Sequence, residues 1–422
     1  MKEQQNIADT PVKHHLISFW KWLLLSVPIG VLVGCASAFF LWSLNWATDY
    51  RESHLWLIAL LPLGGFIIGL TYHYFGESVV KGNNLLLEEM HSPKKIIPFR
   101  MAPLVLFGTL ATHFFGGSAG REGTAVQMGG AIADRFTKWF RLEDTDRKVV
   151  LIMGISAGFA SVFGTPLAGA VFAVEVMMIG KVRYKALLPS FAVAYIADWA
   201  CELWNIGHTH YSIPFVPDVT TEGLLYTLLC GILFGIAALL FSKAIHFFGA
   251  QFKKHISYPP LRPVIGGVVI ALAVWALSTT KYIGLGVPTI VESFSVSEPP
   301  YAFLLKLLLT TFTLGASFKG GEVTPLFFIG ATLGSALFMV VPLPLALLAG
   351  MGFVAVFSGA TNTPVACTLM GIELFGLEAA GYLAVACAVA YLFSGHTGIY
   401  SSQVIGGPKQ LILDRIKNKK QV

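Results

Sequence analysis

The sequence has 422 residues, of which 55% are hydrophobic and only 12% are charged, and its mean hydropathy is +0.69. Because an average soluble chain carries roughly 25% charged residues, this composition excludes an ordinary soluble protein and indicates a polytopic membrane protein. The net charge is +6, but the basic residues lie in short loops, such as Lys94-Lys95 and Lys253-Lys254. Such loops favour contact with lipid headgroups and exclude a nucleic-acid face.

The chain contains repeated apolar runs that are long enough to cross a bilayer, which takes about 20 residues. Clear examples are residues 19–45, 56–75, 149–179 and 224–248. We expect ten or more membrane segments, several of them irregular. No site of small residues follows a short apolar core near the start, so we expect no removable signal peptide.

Basic residues lie near both ends of the sequence. Residues 1–18 form a polar N-terminal segment, and residues 406–422 form a basic tail. The basic residues at the end of the chain are Lys409, Arg415, Lys417, Lys419 and Lys420. The positive-inside tendency predicts that both termini are cytoplasmic, in a bacterial inner membrane, with membrane lipid as the surrounding partner.

A run of glycines at 116–124 contains one charged pair, Arg121 and Glu122, between apolar segments. An ionisable group at membrane depth costs roughly 2.5 kcal/mol or more, so it indicates an ion pathway or a proton relay. Glycine permits positive φ and close approach of the backbone. The run therefore predicts a non-helical entry to a helix that begins near Glu122, with free N–H groups that point at an anion.

Parts of this region recur about 200 residues later. The pentapeptide 120–124 is echoed at 320–324, which places Glu322 200 residues after Glu122. Thr165-Pro166, with Glu175 nine residues after the proline, is echoed by Thr363-Pro364 and Glu373. A weaker echo relates Gly82 to Gly284.

These echoes predict two homologous membrane repeats, 19–212 and 223–405, joined by a linker at 213–222. Duplicated halves with glycine-interrupted segments are typical of transporters whose binding site lies at the repeat interface. Non-helical backbone at that depth is tolerated only inside protein or beside an aqueous cavity. Glu122 and Glu322 are therefore predicted to lie near the pathway.

The same motifs resemble the CLC family of chloride channels and chloride/proton exchangers. Residues 120–123 match its Gly-Lys/Arg-Glu-Gly signature, 320–325 its Gly-x-Phe-x-Pro motif, 82–86 its anion loop, and Tyr400 its pore tyrosine. The resemblance covers about residues 20–405. It implies an all-α polytopic fold with two inverted-topology repeats, with broken helices that meet at a central anion pathway. It also implies a homodimer with one pathway in each subunit.

Several positions depart from the usual motifs of that family. Asn83 replaces a serine, Thr124 replaces a proline, and Glu322 with Thr324 replaces non-acidic residues. Val176 occupies the position of an internal proton-transfer glutamate. Together these departures resemble the fluoride/proton antiporter branch of the family and argue against an ordinary chloride/proton exchanger.

Glu122 is predicted to be the proton-coupled gate, because one carboxyl group can take an anion position when ionised and carry a proton when neutral. The alternative is a buried structural partner of Arg121. Glu322 is predicted to be a second acidic station, or else a fixed acceptor that holds its loop together with Thr324. The Thr324 hydroxyl is expected to donate to Glu322 or to a passing ion.

Fluoride is strongly hydrated, so a selective site must offer hydrogen-bond donors in place of water. The predicted donors are the Asn83 amide, the Tyr400 phenol, the Thr324 hydroxyl and backbone amides near Gly82, Gly123 and Val323. Asn83 could instead be a turn residue, and Tyr400 an interfacial tyrosine. We expect His113 to be a satisfied core histidine, and Glu175 and Glu373 to be scaffold groups.

The sequence thus predicts a proton-coupled fluoride antiporter that exports fluoride in exchange for protons. It predicts no enzyme activity, metal site or cofactor, since no catalytic or phosphate-binding motif is present. One alternative is a chloride channel or chloride/proton exchanger of the same fold. Others are a cation/proton transporter, disfavoured because helix N-termini repel cations, and a membrane-embedded enzyme.

Overall fold

The computed structural model describes residues 2–177, 184–404 and 409. Within these ranges the chain forms sixteen α-helices and no β-strand. The predicted basic tail lies outside the described residues except for Lys409. The helices are α1 (Lys2–Ser53), α2 (Leu61–Phe75), α3 (Asn83–His91), α4 (Met101–Phe114), α5 (Glu122–Trp139), α6 (Asp144–Phe163), α7 (Pro166–Glu175), α8 (Tyr184–Glu202), α9 (Thr221–His255), α10 (Leu261–Leu277), α11 (Val287–Glu292), α12 (Ala302–Gly315), α13 (Val323–Leu337), α14 (Leu345–Thr361), α15 (Pro364–Phe375) and α16 (Ala380–Phe393).

The helices of the second half follow the order of those in the first half. The starts of α4 and α12, of α5 and α13, and of α6 and α14 are each separated by 201 residues, as the residue numbers show. Helices α7 and α15 start 198 residues apart. This spacing is close to the 198–202 residues that separate the sequence echoes, while the boundaries of the two repeats stay a prediction.

Most helices of the described chain are shorter than a full membrane crossing. Three apolar spans are long enough to cross, namely Phe19–Ser53, Leu55–Phe75 and Thr221–His255. The remaining apolar helices have 10–17 residues. Short helices that end inside the protein are the form that an ion pathway requires, because their unpaired backbone groups face the pathway and not lipid. The predicted count of ten or more membrane segments stays a prediction.

The apolar run 149–179 is long enough to cross a bilayer as one segment, but the structure divides residues 149–175 between two helices. Helix α6 ends at Phe163, because Gly164 adopts a left-handed conformation with φ of 73°. Helix α7 then begins at Pro166, whose fixed φ suits the first position of a helix. The apolar pattern did not show this break, since both helices are buried among other helices.

Small residues bring two helix pairs into close contact. A methyl group on Gly129 of α5 would collide with the carbonyl oxygen of Gly154 in α6, and one on Gly330 of α13 would collide with that of Gly352 in α14. Close backbone packing at small residues is a common basis of helix association in membranes. The helices α5 and α13, which carry the predicted site residues at their N-terminal ends, are thereby fixed against α6 and α14.

Candidate functional site

The two glycine runs meet at the centre of the protein. The Gly120 amide donates to the Gly321 carbonyl at 2.6 Å, and the Gly321 amide donates to the Gly120 carbonyl at 2.8 Å. A methyl group on Gly120 would lie 2.8 Å from Cδ of Pro325, and one on Gly321 would lie 2.8 Å from the Gly123 nitrogen. Only glycine fits at both positions, and the contact places the N-terminal ends of α5 and α13 side by side.

Glu122 is the first residue of α5, as predicted, and it is fully buried. Its Oε2 atom accepts a hydrogen bond from the Thr324 backbone amide at 3.1 Å. The Thr324 hydroxyl lies 2.8 Å from Oε1 and 2.7 Å from Oε2. The first amides of a helix have no intrahelical partner and carry partial positive charge. The Glu122 carboxylate therefore occupies an anion-binding position at the start of α13.

The predicted partners of Thr324 were Glu322 or a passing ion, and Glu322 is wrong for the described conformation, while donation to an ion stays a prediction. The hydroxyl binds Glu122 instead. The reason is geometric, because the paired glycines bring the start of α5 beside the first turn of α13. Glu122 also has the neighbour that the structural alternative requires, since Nε of Arg121 lies 3.6 Å from its Oε1. The hydrogen bonds of the carboxylate, however, connect it mainly to the other half of the chain.

Three other predicted residues line one narrow cavity of about 150 Å³, which we call the inner cavity. Asn83, Glu322 and Tyr400 come from three distant parts of the chain and all contribute to its wall, as does Gly82. Oδ1 of Asn83 and Oε2 of Glu322 are buried, and neither atom has a hydrogen-bond partner among the described residues. Buried polar atoms are normally hydrogen-bonded. The inner cavity is therefore a polar site with free bonding capacity.

Local backbone geometry positions Asn83 and Tyr400. Gly82 has φ of 57°, which favours glycine, and α3 begins directly after it at Asn83. The loop with Tyr400 is held against α3, because the Ser402 amide donates to Oδ1 of Asn84 at 3.0 Å. Tyr400 itself is only 7% exposed. The geometry shows neither a free turn at Asn83 nor an exposed interfacial position for Tyr400.

Gly123 lies close to residues of both groups. A methyl group on Gly123 would lie 3.1 Å from Nδ2 of Asn83 and 3.5 Å from Oε2 of Glu322. Gly123 directly follows Glu122, so the inner cavity and the Glu122–Thr324 contact lie on adjoining sides of the same helical turn. Val323 is buried and is not part of the cavity wall, so its place in the pathway stays a prediction.

Glu175 and Glu373 bind the two halves of the chain reciprocally. The Glu373 carboxylate accepts hydrogen bonds from the amides of Leu167 and Ala168, at 2.8 and 2.7 Å, at the start of α7. The Glu175 carboxylate accepts from Val365 and Ala366, at 3.1 and 2.8 Å, at the start of α15. Each acid thus satisfies orphan amides of the opposite half.

His113 was expected to be a satisfied core histidine. The residue is fully buried next to the Gly120 backbone, so its place in the core is confirmed. Its carbonyl accepts from the buried Arg51 guanidinium at 3.3 Å. The hydrogen bonding of its ring nitrogens stays a prediction.

Two lysines, the fully buried Lys306 and the half-buried Lys319, were not among the predicted site residues. Lys306 of α12 is fully buried and donates to the carbonyl oxygens of Gly284, at 2.7 Å, and Tyr282, at 3.3 Å. Lys319, one residue before Gly320, lines the inner cavity. The signal was available for Lys306, because a cation within an apolar helix is costly and therefore informative. Lys319 gives no comparable signal, because it lies in a glycine-rich stretch outside any apolar helix.

Comparison with known proteins agrees with this geometry. A family model described as voltage gated chloride channel matches residues 64–395 of the chain. The chain belongs to this family. It is therefore an all-α polytopic membrane protein with the CLC architecture, as the sequence predicted. The membership identifies a transport family and not a family of enzymes.

Among curated relatives of the family, the chain is 54% identical to a protein from Pseudomonas syringae pv. tomato named chloride/fluoride channel protein. The match covers 92% of this chain and 87% of the relative. A proton/chloride exchange transporter from Vibrio vulnificus is 26% identical, over 94% of this chain and 90% of the relative.

Solved structures of the family give the same picture. A CLC-type fluoride/proton antiporter is 37% identical, with a TM-score of 0.89, over 92% of this chain and 98% of that structure. A slow cyanobacterial chloride/proton antiporter matches with a TM-score of 0.78, over 95% of this chain and 99% of that structure. At 20% identity it supports the fold alone.

Proposed function

We propose that this chain exports fluoride across a membrane in exchange for protons. The observation that carries the proposal is the position of the Glu122 carboxylate, which accepts both the amide and the hydroxyl of Thr324 at the start of α13. A carboxylate in that position marks a place where an anion is stabilised. The names of the most similar proteins reported above, which include fluoride, support the choice of substrate.

Glu122 couples the two ions through its own protonation. When ionised, it fills the anion position at α13 and blocks it for fluoride. When protonated, it carries no charge and binds the Thr324 donors more weakly, because charge-assisted hydrogen bonds are about twice as strong as neutral ones. The neutral side chain then leaves the position to fluoride and takes its proton with it. One proton thus moves in the direction opposite to the anion.

The inner cavity is the fluoride station in this mechanism. Asn83 offers an amide and Tyr400 a phenol, and both groups line the cavity. Oε2 of Glu322 has no hydrogen-bond partner within the described ranges. It donates a hydrogen bond to fluoride only when Glu322 is protonated, and it repels fluoride when ionised. Glu322 is thus a second acidic station that binds the anion and the proton together. Gly82, Gly123 and Val323 complete the pathway as backbone contributors.

The orientation of the chain follows from its basic loops. We assign the side with Lys81, Lys253 and Arg262 to the cytoplasm, in agreement with the positive-inside tendency. We also place both termini in the cytoplasm, because basic residues lie near both ends of the sequence, and the membrane is a bacterial inner membrane. The protein acts as a homodimer of two independent pathways, and each subunit consists of the repeats 19–212 and 223–405. It is a transporter and not an enzyme.

A second candidate is conduction of chloride or fluoride without proton coupling, because the Pseudomonas syringae relative is named a channel. Proteoliposomes loaded with fluoride or with chloride distinguish the two, when an ion-selective electrode records efflux with and without a proton gradient. The proposal predicts fluoride efflux that the proton gradient accelerates, and little chloride efflux. Equal rates for both anions, or no response to the gradient, would overturn it.

A further inference from the structure

A wider cavity of about 880 Å³ adjoins the inner cavity, and we call it the vestibule. The two share Tyr72, Lys319 and Glu322 in their walls. The exposed residues Glu77 and Lys253 also line the vestibule, so it reaches the protein surface. Lys319 therefore lies at the boundary between the vestibule and the inner cavity.

The vestibule has a basic wall. Four cationic side chains line it against two carboxylates, Glu77 and Glu322. A cleft lined by one sign of charge focuses the field and raises the local concentration of counter-ions. The four cationic residues are Lys81, Lys253, Arg262 and Lys319.

Lys319 differs from the other three in its depth and in its surroundings. Of the four, Lys319 and Lys81 also line the inner cavity. The ammonium of Lys81 pairs with Glu88 at 2.8 Å. Within the described parts of the chain, no ion pair joins Lys319 to a carboxylate. Its positive charge is therefore not neutralised by an acid of the protein.

Two contacts fix the lysine in this place. The stem of Lys319 crosses Gly108 of α4, where an added methyl group would lie 2.8 Å from its Cβ and Cγ. Its ammonium lies 4.0 Å from the centre of the Tyr72 ring, within the range of a cation–π interaction. A ring face holds a cation without neutralising it. The ammonium remains free to attract an anion at the boundary of the two cavities.

We propose that Lys319, held by Tyr72, is a recruiting station that binds a small inorganic anion at the mouth of the inner cavity before the anion reaches Asn83 and Tyr400. The inference rests on the proposed fluoride transport and adds a residue that determines substrate binding. Lys319 acts on the approach and occupancy of the anion, and Glu122 acts on proton coupling. The two roles have different kinetic signatures.

The test measures fluoride transport by the K319Q variant in proteoliposomes. Initial rates are recorded over a range of fluoride concentrations. K319Q should raise the KM for fluoride roughly fivefold to tenfold. The reason is that the attraction between two unit charges a few ångströms apart, partly screened by water and salt, strengthens binding by about this factor. The maximal rate and the fluoride-to-proton ratio should stay within about twofold of the parent. K319R, which keeps the charge, should stay near the parent KM.

The control is K254Q, because Lys254 is exposed, neighbours Lys253 and does not line the vestibule. It removes the same charge and should leave the KM unchanged. Rates should also be compared at ionic strengths of about 0.01 M and about 0.15 M, over which the Debye length falls from about 30 Å to about 8 Å. The KM of the parent should rise with salt more steeply than that of K319Q.

Equal KM values for K319Q and K254Q would overturn the inference, and so would a lower maximal rate at unchanged KM. If K319Q does not fold, K319M keeps the apolar stem over Gly108 and answers the same question. A parent protein that moves no fluoride would instead overturn the proposed function, so the two failures are distinct.

Discussion

The carboxylate of Glu122 is held by the amide and the hydroxyl of Thr324, which lies 202 residues further along the chain. This contact joins the starts of α5 and α13 and occupies the position that an anion would take. It exists because Gly120 and Gly321 pair their backbones directly, which leaves no room for side chains between the two helices.

We expect E122Q to lose proton-coupled fluoride movement. Glutamine neither ionises nor carries an exchangeable acid proton, so the gate loses both of its functions. In proteoliposomes, an imposed proton gradient should no longer change the fluoride flux. E222Q is the matched control, because Glu222 also lies in the first turn of a helix but is exposed on α9. Coupled transport in E122Q at the parental rate would contradict the role of the gate.

Substitution of Thr324 tests the donor side of the same contact. T324V removes the hydroxyl but keeps the backbone amide, and a hydrogen bond to a charged group contributes about 1.5–3 kcal/mol. The carboxylate should then fill the anion position less completely, so fluoride should move with fewer protons than in the parent. T324S retains the hydroxyl and should keep the parental ratio. A parental ratio in T324V would show that the hydroxyl has no part in coupling.

The start of α5 at Glu122 could be predicted. The glycines before Glu122 indicate a non-helical segment, and the residues after it can form a helix. The partner of Glu122 could not be predicted, because it depends on how two halves separated by 202 residues approach each other. The echo at 320–324 did indicate that approach, but it suggested Glu322 as the counterpart. In the structure Glu322 faces the inner cavity, and Thr324 holds Glu122.

We expect G321A to destabilise the protein by about 1–3 kcal/mol, the usual cost of adding a methyl group to a packed interior. That methyl group would lie 2.8 Å from the Gly123 nitrogen. Thermal unfolding of the purified protein should show the change as a lower Tm. G207A is the control, since nothing lies within 4 Å of a methyl group there. Identical Tm values for the two variants would refute the close contact.

Glu175 and Glu373 should affect stability and not coupling. E175A leaves the amides of Val365 and Ala366 without acceptors, and an unsatisfied buried group costs about 1–3 kcal/mol. E175Q keeps one oxygen acceptor and should lose less. Tm measurements should rank the parent, E175Q and E175A in that order. The fluoride-to-proton ratio should be unchanged in E175Q, and an altered ratio would move Glu175 into the transport mechanism.

The sequence predicted several residues that line the inner cavity but not the shape of the cavity. Asn83, Glu322 and Tyr400 were each identified from their motifs, and the fold brings all three to one wall. Lys319 could not be predicted, because its position depends on contacts with Tyr72 in α2 and Gly108 in α4. A local motif shows which residue types are present, whereas burial and missing partners arise only from tertiary packing.

The most direct test of proton-driven fluoride export is a fluoride-electrode record of proteoliposomes with equal fluoride on both sides. A proton gradient is imposed and later removed with a proton carrier. The account predicts that fluoride moves against its own developing gradient while the proton gradient lasts, and that it flows back when the proton gradient is removed. A fluoride level that never departs from equality would contradict the account.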